Sequence, residues 1–99
     1  MNHKEKTRLL RAGEIGKIIA KYIEVNDFTD RSTIVTVTDV VLNDQLDSAK
    51  VYLSVFPKEK ELLVFPEIEK DIYRLQNHLN THLRCRLAPR IKLLLVQEK

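Results

Sequence analysis

The chain has 99 residues, 43% of them hydrophobic and 31% charged, with a formal net charge of +3; this is the size and usage of one globular domain, read as residues 1–99, and it argues against disorder. A single cysteine, Cys85, excludes an internal disulfide and suits a reducing cytosol. Apolar runs such as Leu93 to Val96 and Val40 to Leu42 fall far short of the roughly 20 residues of a membrane span, and the acid-bearing N-terminus has no apolar stretch of the kind a secretory signal needs.

From Lys4 to about Ile23, Leu9, Ala12, Ile15, Gly16, Ile19, Tyr22 and Ile23 recur at three- and four-residue steps, which predicts an amphipathic helix. Lys6, Lys17 and Lys21 fall on its opposite side. Asn26 to Ser32 is polar and turn-rich and reads as a loop. Thr33 to Leu42 is almost wholly β-branched, a strand with Val35 and Val37 on a buried face. After the turn residues Asn43-Asp44-Gln45, Ser48 to Phe56 forms a second strand, with Ala49, Val51, Leu53 and Val55 on one face and Lys50, Tyr52 and Ser54 on the other. Pro57 ends it. Lys58 to Phe65 is open between loop and helical start. Pro66 suits a first helical position, and Ile68, Ile72, Leu75, Leu79 and Leu83 then continue one stripe. Neither Gly nor Pro interrupts that stretch, so the spacing predicts one nearly straight helix from Pro66 to Leu83. Arg90 to Val96 is a last strand, apolar on both faces and therefore expected inside the sheet. The order helix–strand–strand–helix–strand predicts an α+β fold: a three-stranded sheet with its helices on one face. Ile15, Ile19, Val35, Val37, Val51, Leu53, Leu75, Leu79 and Leu93 are the expected core.

Charge is unevenly spread. Residues 1–24 carry six basic and three acidic side chains, residues 25–81 six and ten, and residues 82–99 five and one. If the two basic ends meet in the fold they make a positive face for a polyanion, although uneven charge on a solvated surface is an equally ordinary state. Arg84, Arg86, Arg90 and Lys92 form the sharpest cluster. Arginine offers planar paired donors to phosphate, but basic groups also complement a helix C-terminus. Lys6, Arg11, Lys17 and Lys21 make a second strip.

Other motifs read better as structure. Gly13-Glu14-Ile15-Gly16 has the spacing of a loop that clamps a nucleic-acid backbone, but it lies inside a helix and carries an acid, so packing is the better reading. His78 and His82 could share a metal ion, yet no third ligand lies near them on the helix and Leu79 stands where a zincin has its general base. Cys85 reads as a small apolar residue. No phosphate loop, nucleophile elbow or carboxylate pair is present, so no catalytic residue, metal ligand or cofactor is assigned.

The hairpin residues Val35-Thr36-Val37-Thr38-Asp39-Val40, then Leu46, then Ala49-Lys50-Val51-Tyr52-Leu53-Ser54-Val55, together with Leu83-Arg84-Cys85-Arg86-Leu87-Ala88-Pro89-Arg90-Ile91, resemble the ribosome-binding factor A family over nearly the whole chain. The resemblance implies a type II KH-like fold. It implies a non-enzymatic factor that binds the immature small ribosomal subunit and its rRNA and assists late rRNA maturation, a cytoplasmic monomer with no membrane attachment. Where that family has an Ala-x-Gly kink, this chain has Asp71-Ile72-Tyr73. With the resemblance, Lys17, Lys21, Lys50, Arg84, Arg86, Arg90 and Lys92 become the expected RNA contacts. The alternative is a small protein-interaction or oligomerisation module using the exposed sheet face around Tyr52.

Overall fold

The computed structural model describes residues 2–26, 28, 32–83 and 88–96. Helix α1 runs from His3–Asn26. Its start is capped by Asn2, whose side-chain oxygen accepts the Glu5 amide (2.8 Å), satisfying one of the amide groups that the first turn leaves without a helical partner. Strands β1 (Ile34–Leu42) and β2 (Ser48–Phe56) form an antiparallel hairpin, and β3 (Arg90–Leu95) adds in parallel to the far side of β2. Between β2 and β3 come a short 3-10 turn (Lys58–Lys60), α2 (Glu61–Lys70) and α3 (Ile72–His82).

The sheet order β1-β2-β3 makes β2 the central strand. The expectation of an interior β3 is therefore corrected: β3 is an edge, and Leu94 and Leu95 are half-buried. The parallel connection through α2 and α3 carries β3 to the free side of β2, so that β2 and not β3 is flanked on both sides.

The helices cover one face of the sheet. Toward them point Val35 opposite Val55, Val37 opposite Leu53, Val40 opposite Val51 and Leu42 opposite Ala49, then Ile91 beside Ala49 and Leu93 beside Val51. Val35 and Val37 are odd-numbered whereas Val40 and Leu42 are even-numbered. A β-bulge reconciles them: Val37 pairs with Leu53 and Asp39 with Tyr52, so Thr38 is the extra residue, and the side-chain alternation shifts by one there. Against this strand lies Gly16, where a Cβ would sit 3.5 Å from Val40 and 3.9 Å from Val37. Gly13 meets nothing within 4 Å. Packing thus accounts for Gly16, and Gly13 lies over a shallow groove of about 290 Å³ between α1 and the bulge. Ile15, Ile19, Val51, Leu53, Ile68, Leu75 and Leu79 are fully or almost fully buried. Val35 and Val37, expected in the core, are only half-buried because β1 is the other edge of the sheet.

The expected single helix from Pro66 to Leu83 is also corrected. Helical structure begins at Lys58, Pro66 lies inside α2, and the run breaks at Asp71 (φ −90°, ψ 13°). Pro66 removes a helical bond to the carbonyl of Leu62, a residue that itself faces solvent. At the break the Asp71 amide turns back to the Ile68 carbonyl (3.0 Å), and α3 starts when the Leu75 amide bonds the Asp71 carbonyl (3.0 Å). The Asp71 side chain accepts the Tyr22 hydroxyl of α1. The interruption thus falls at the position of the family's Ala-x-Gly kink, without the glycine.

Candidate nucleic-acid interface

Alternation along the strands decides where the basic residues go. Since Ala49, Val51, Ile91 and Leu93 face the helices, Lys50, Arg90 and Lys92 face the opposite, uncovered side of the sheet. There Lys50 lies beside Lys92 and Ser48 beside Arg90 in the parallel register. All three basic side chains are exposed, and no ion pair engages them among the described residues. One step along the same face, half-buried Tyr52 lies between Asp39 of β1 and Leu94 of β3. Then follow Ser54 beside Thr36, and Phe56 beside Ile34.

Lys17 and Lys21 are exposed on α1, each about 200° round the helix from a buried isoleucine two positions earlier, Ile15 and Ile19. They lie on the outer side of the helix layer. The fold therefore brings Lys50, Arg90 and Lys92 together and separates them from Lys17 and Lys21 by its full two-layer thickness. Arg84 and Arg86 lie outside the described residues, as does Cys85.

Arg90 is fixed from behind. Gln76 of α3 donates to the Pro89 carbonyl (2.9 Å) and accepts the Ile91 amide (2.9 Å), gripping the backbone on either side of Arg90. The Arg90 amide itself donates to the Asp47 carbonyl in the β1–β2 turn (3.0 Å). That turn is closed by Asn43, whose side-chain oxygen accepts the amides of Asp47 and Ser48 (3.0 and 3.1 Å). Leu46 adopts a left-handed conformation in it (φ 62°). Sequence reasoning missed Gln76; a half-buried amide on a helix gives no local signal that it will receive a strand. Between the turn, α3 and the start of β3 opens a groove of about 870 Å³, with Arg11, Tyr73 and Arg90 among its lining residues.

His78 and His82 stack with ring centres 3.9 Å apart, and His78 also packs on Tyr22 at 4.9 Å. Burial, and then the charge of His82, hold the His78 pKa below its ordinary value. Among the described residues no group of three possible metal ligands occurs, and none of their helices is long and apolar enough to cross a membrane.

The sequence pattern of the family described as ribosome-binding factor A matches residues 6–95. The chain belongs to the ribosome-binding factor A family. Its members are non-enzymatic factors of ribosome assembly. The ribosome-binding factor A of Staphylococcus carnosus (strain TM300) is 35% identical over 89 residues, covering 88% of this chain and 77% of that protein. The crystal structure of ribosome-binding factor A from Thermus thermophilus superposes with a TM-score of 0.73 at 21% identity, covering 89% of this chain and 93% of that one. Coordinates of the Thermus thermophilus factor fitted into a cryo-EM map of a 30S–RbfA complex give a TM-score of 0.66 at 24% identity, covering 83% and 87%. The α+β arrangement read from the sequence is thus that of the ribosome-binding factor A fold.

Proposed function

We propose that this protein binds the immature small ribosomal subunit through its rRNA and assists late rRNA maturation, acting as a cytoplasmic monomer without catalysis. The observation that carries this reading is the family match over residues 6–95. The placement of a relative on the 30S subunit supports it, as does the group of exposed cations on the sheet's open face. Lys50, Arg90 and Lys92 would contact phosphates there, Arg84 and Arg86 beside them in sequence would extend the contact, and Lys17 and Lys21 would serve a second strip. Each phosphate contact releases counterions, so binding should weaken steeply with salt.

Sedimentation of cell extract is the test. The protein should travel with free small subunits and be absent from assembled ribosomes. Migration only in ribosome-free fractions at low salt would overturn the assignment. With purified subunits, the double substitution Arg84→Ala, Arg86→Ala should lower the slope of log affinity against log salt by about 0.7–0.9 for each phosphate no longer neutralised; an unchanged slope would remove these two residues from the interface.

A further inference from the structure

We propose that the uncovered face of the sheet is a platform for single-stranded RNA, on which a base stacks against Tyr52 while Lys50, Arg90 and Lys92 hold the adjoining phosphates. This rests on the rRNA-binding reading and adds to it the strandedness of the target and the stacking residue.

The register is what assembles the platform. Lys50 and Lys92 are neighbours across β2 and β3, as are Tyr52 and Leu94. Same-face residues two apart on a strand are separated by about 6.6 Å, the scale of one nucleotide step along an extended backbone. A phosphate at Lys50 and Lys92 therefore places its base over Tyr52 and Leu94. Phe56, 67% exposed, lies two more steps along the same strand face, beside Ile34, and offers a second ring to the continuing strand.

The charge distribution favours a polyanion over a protein partner. The cations crowd one end of the face and find no carboxylate partner among the described residues. The acid of this face is Asp39, which accepts the Val40 amide of its own strand (2.9 Å). The Tyr52 hydroxyl makes no hydrogen bond among the described residues. An aromatic ring on the open face of a sheet can stack only on bases that are not already stacked within a duplex, and this selects single strands.

The experiment compares a short single-stranded RNA with a duplex RNA of equal charge, by fluorescence anisotropy of the labelled RNA across a salt series. The single strand should bind more tightly. Tyr52→Leu, which keeps apolar cover at a half-buried position but removes the ring, should weaken single-strand binding about 5- to 150-fold with the salt slope unchanged; Tyr52→Phe should bind like the parent. Lys50→Ala with Lys92→Ala should lower the slope by about 0.7 for each phosphate released. Amide chemical shifts of the parent protein should change on β2 and β3 when the single strand is added, a readout that needs no variant. Equal binding of Tyr52→Leu and the parent, or shifts confined to α1, would overturn the platform. If the parent travels with small subunits but binds no single strand, the platform falls and the assembly role stands. If face substitutions abolish subunit binding in that case, the face docks a protein instead. If the parent binds single strands yet never travels with subunits, the assembly role is what fails.

Discussion

At the scale of single residues, Tyr22 concentrates the most physics. It is buried, it contacts His78 and Phe28, and its hydroxyl donates to Asp71. Burial first, and then the Asp71 hydrogen bond and charge, push its pKa from 10.0 up to about 12, with Arg74 opposing. Between those values the unfolded chain loses the phenolic proton while the folded chain keeps it, so stability should fall as pH rises from about 10 to about 12. His78 works at the other end: its lowered pKa means that the unfolded state takes up a proton first as pH falls below 6.5, and stability falls with it. Urea denaturation across pH should show both limbs, and Tyr22→Phe should remove the Tyr22 part of the alkaline one while costing about 1 kcal/mol at neutral pH for the lost hydrogen bond. Leu79 is completely buried; Leu79→Ala should cost about 2–5 kcal/mol in the same assay. Gly13 faces open space inside a helix, so Gly13→Ala should stabilise by up to about 1 kcal/mol.

At the scale of elements, two joints govern the molecule. One is the break between α2 and α3. Ile68 and Leu75 are seven residues apart, only about 20° out of phase on a continuous helix, and both are fully buried, so the apolar stripe runs straight through the interruption. Its local chemistry is an aspartate drawn to a tyrosine 49 positions away. The other joint is Gln76, which receives β3. Gln76→Ala leaves the Pro89 carbonyl and the Ile91 amide without their partner, and should cost about 1–3 kcal/mol. Hydrogen exchange should show the Ile91 amide opening faster while the β1–β2 amides keep their relative protection; unchanged exchange at Ile91 would mean that β2 alone holds the strand.

At the scale of the whole molecule, the described candidate cations divide between two sides, with Arg11 of α1 and Arg90 of β3 meeting at the rim of one groove. Residues of α1 present Lys17 and Lys21 outward from the helix layer, while Lys50, Arg90 and Lys92 project from the bare side of the sheet. Replacing Lys50 and Lys92 together by Ala should flatten the salt dependence of subunit binding by about 0.7–0.9 for each phosphate no longer neutralised, whereas Lys17→Ala with Lys21→Ala should change it little if the sheet face is the interface. The reverse outcome would move the interface to α1. Stability should change by no more than about 0.5 kcal/mol per site in either case, because all four side chains are exposed.

The sequence by itself determined the elements whose periodicity is strong: α1, the hairpin with Ala49, Val51, Leu53 and Val55 inward, and the stripe from Ile68 through Leu83. It also determined the family, because the Thr-Val-Thr and Ala-Lys-Val-Tyr blocks and the Arg-x-Arg segment stand at readable spacings. Of the candidate site it determined the basic residue types. Only the tertiary structure decided the edge position of β3, the bulge at Thr38 that turns Val40 and Leu42 inward, the break at Asp71, and the separation of the cations onto two faces. Each of these depends on a partner distant in the chain: β2 for the register, α1 for Asp71, α3 for the start of β3. Local periodicity records which side of an element is apolar, but not which neighbour will cover it, and that choice decides which charges end up side by side.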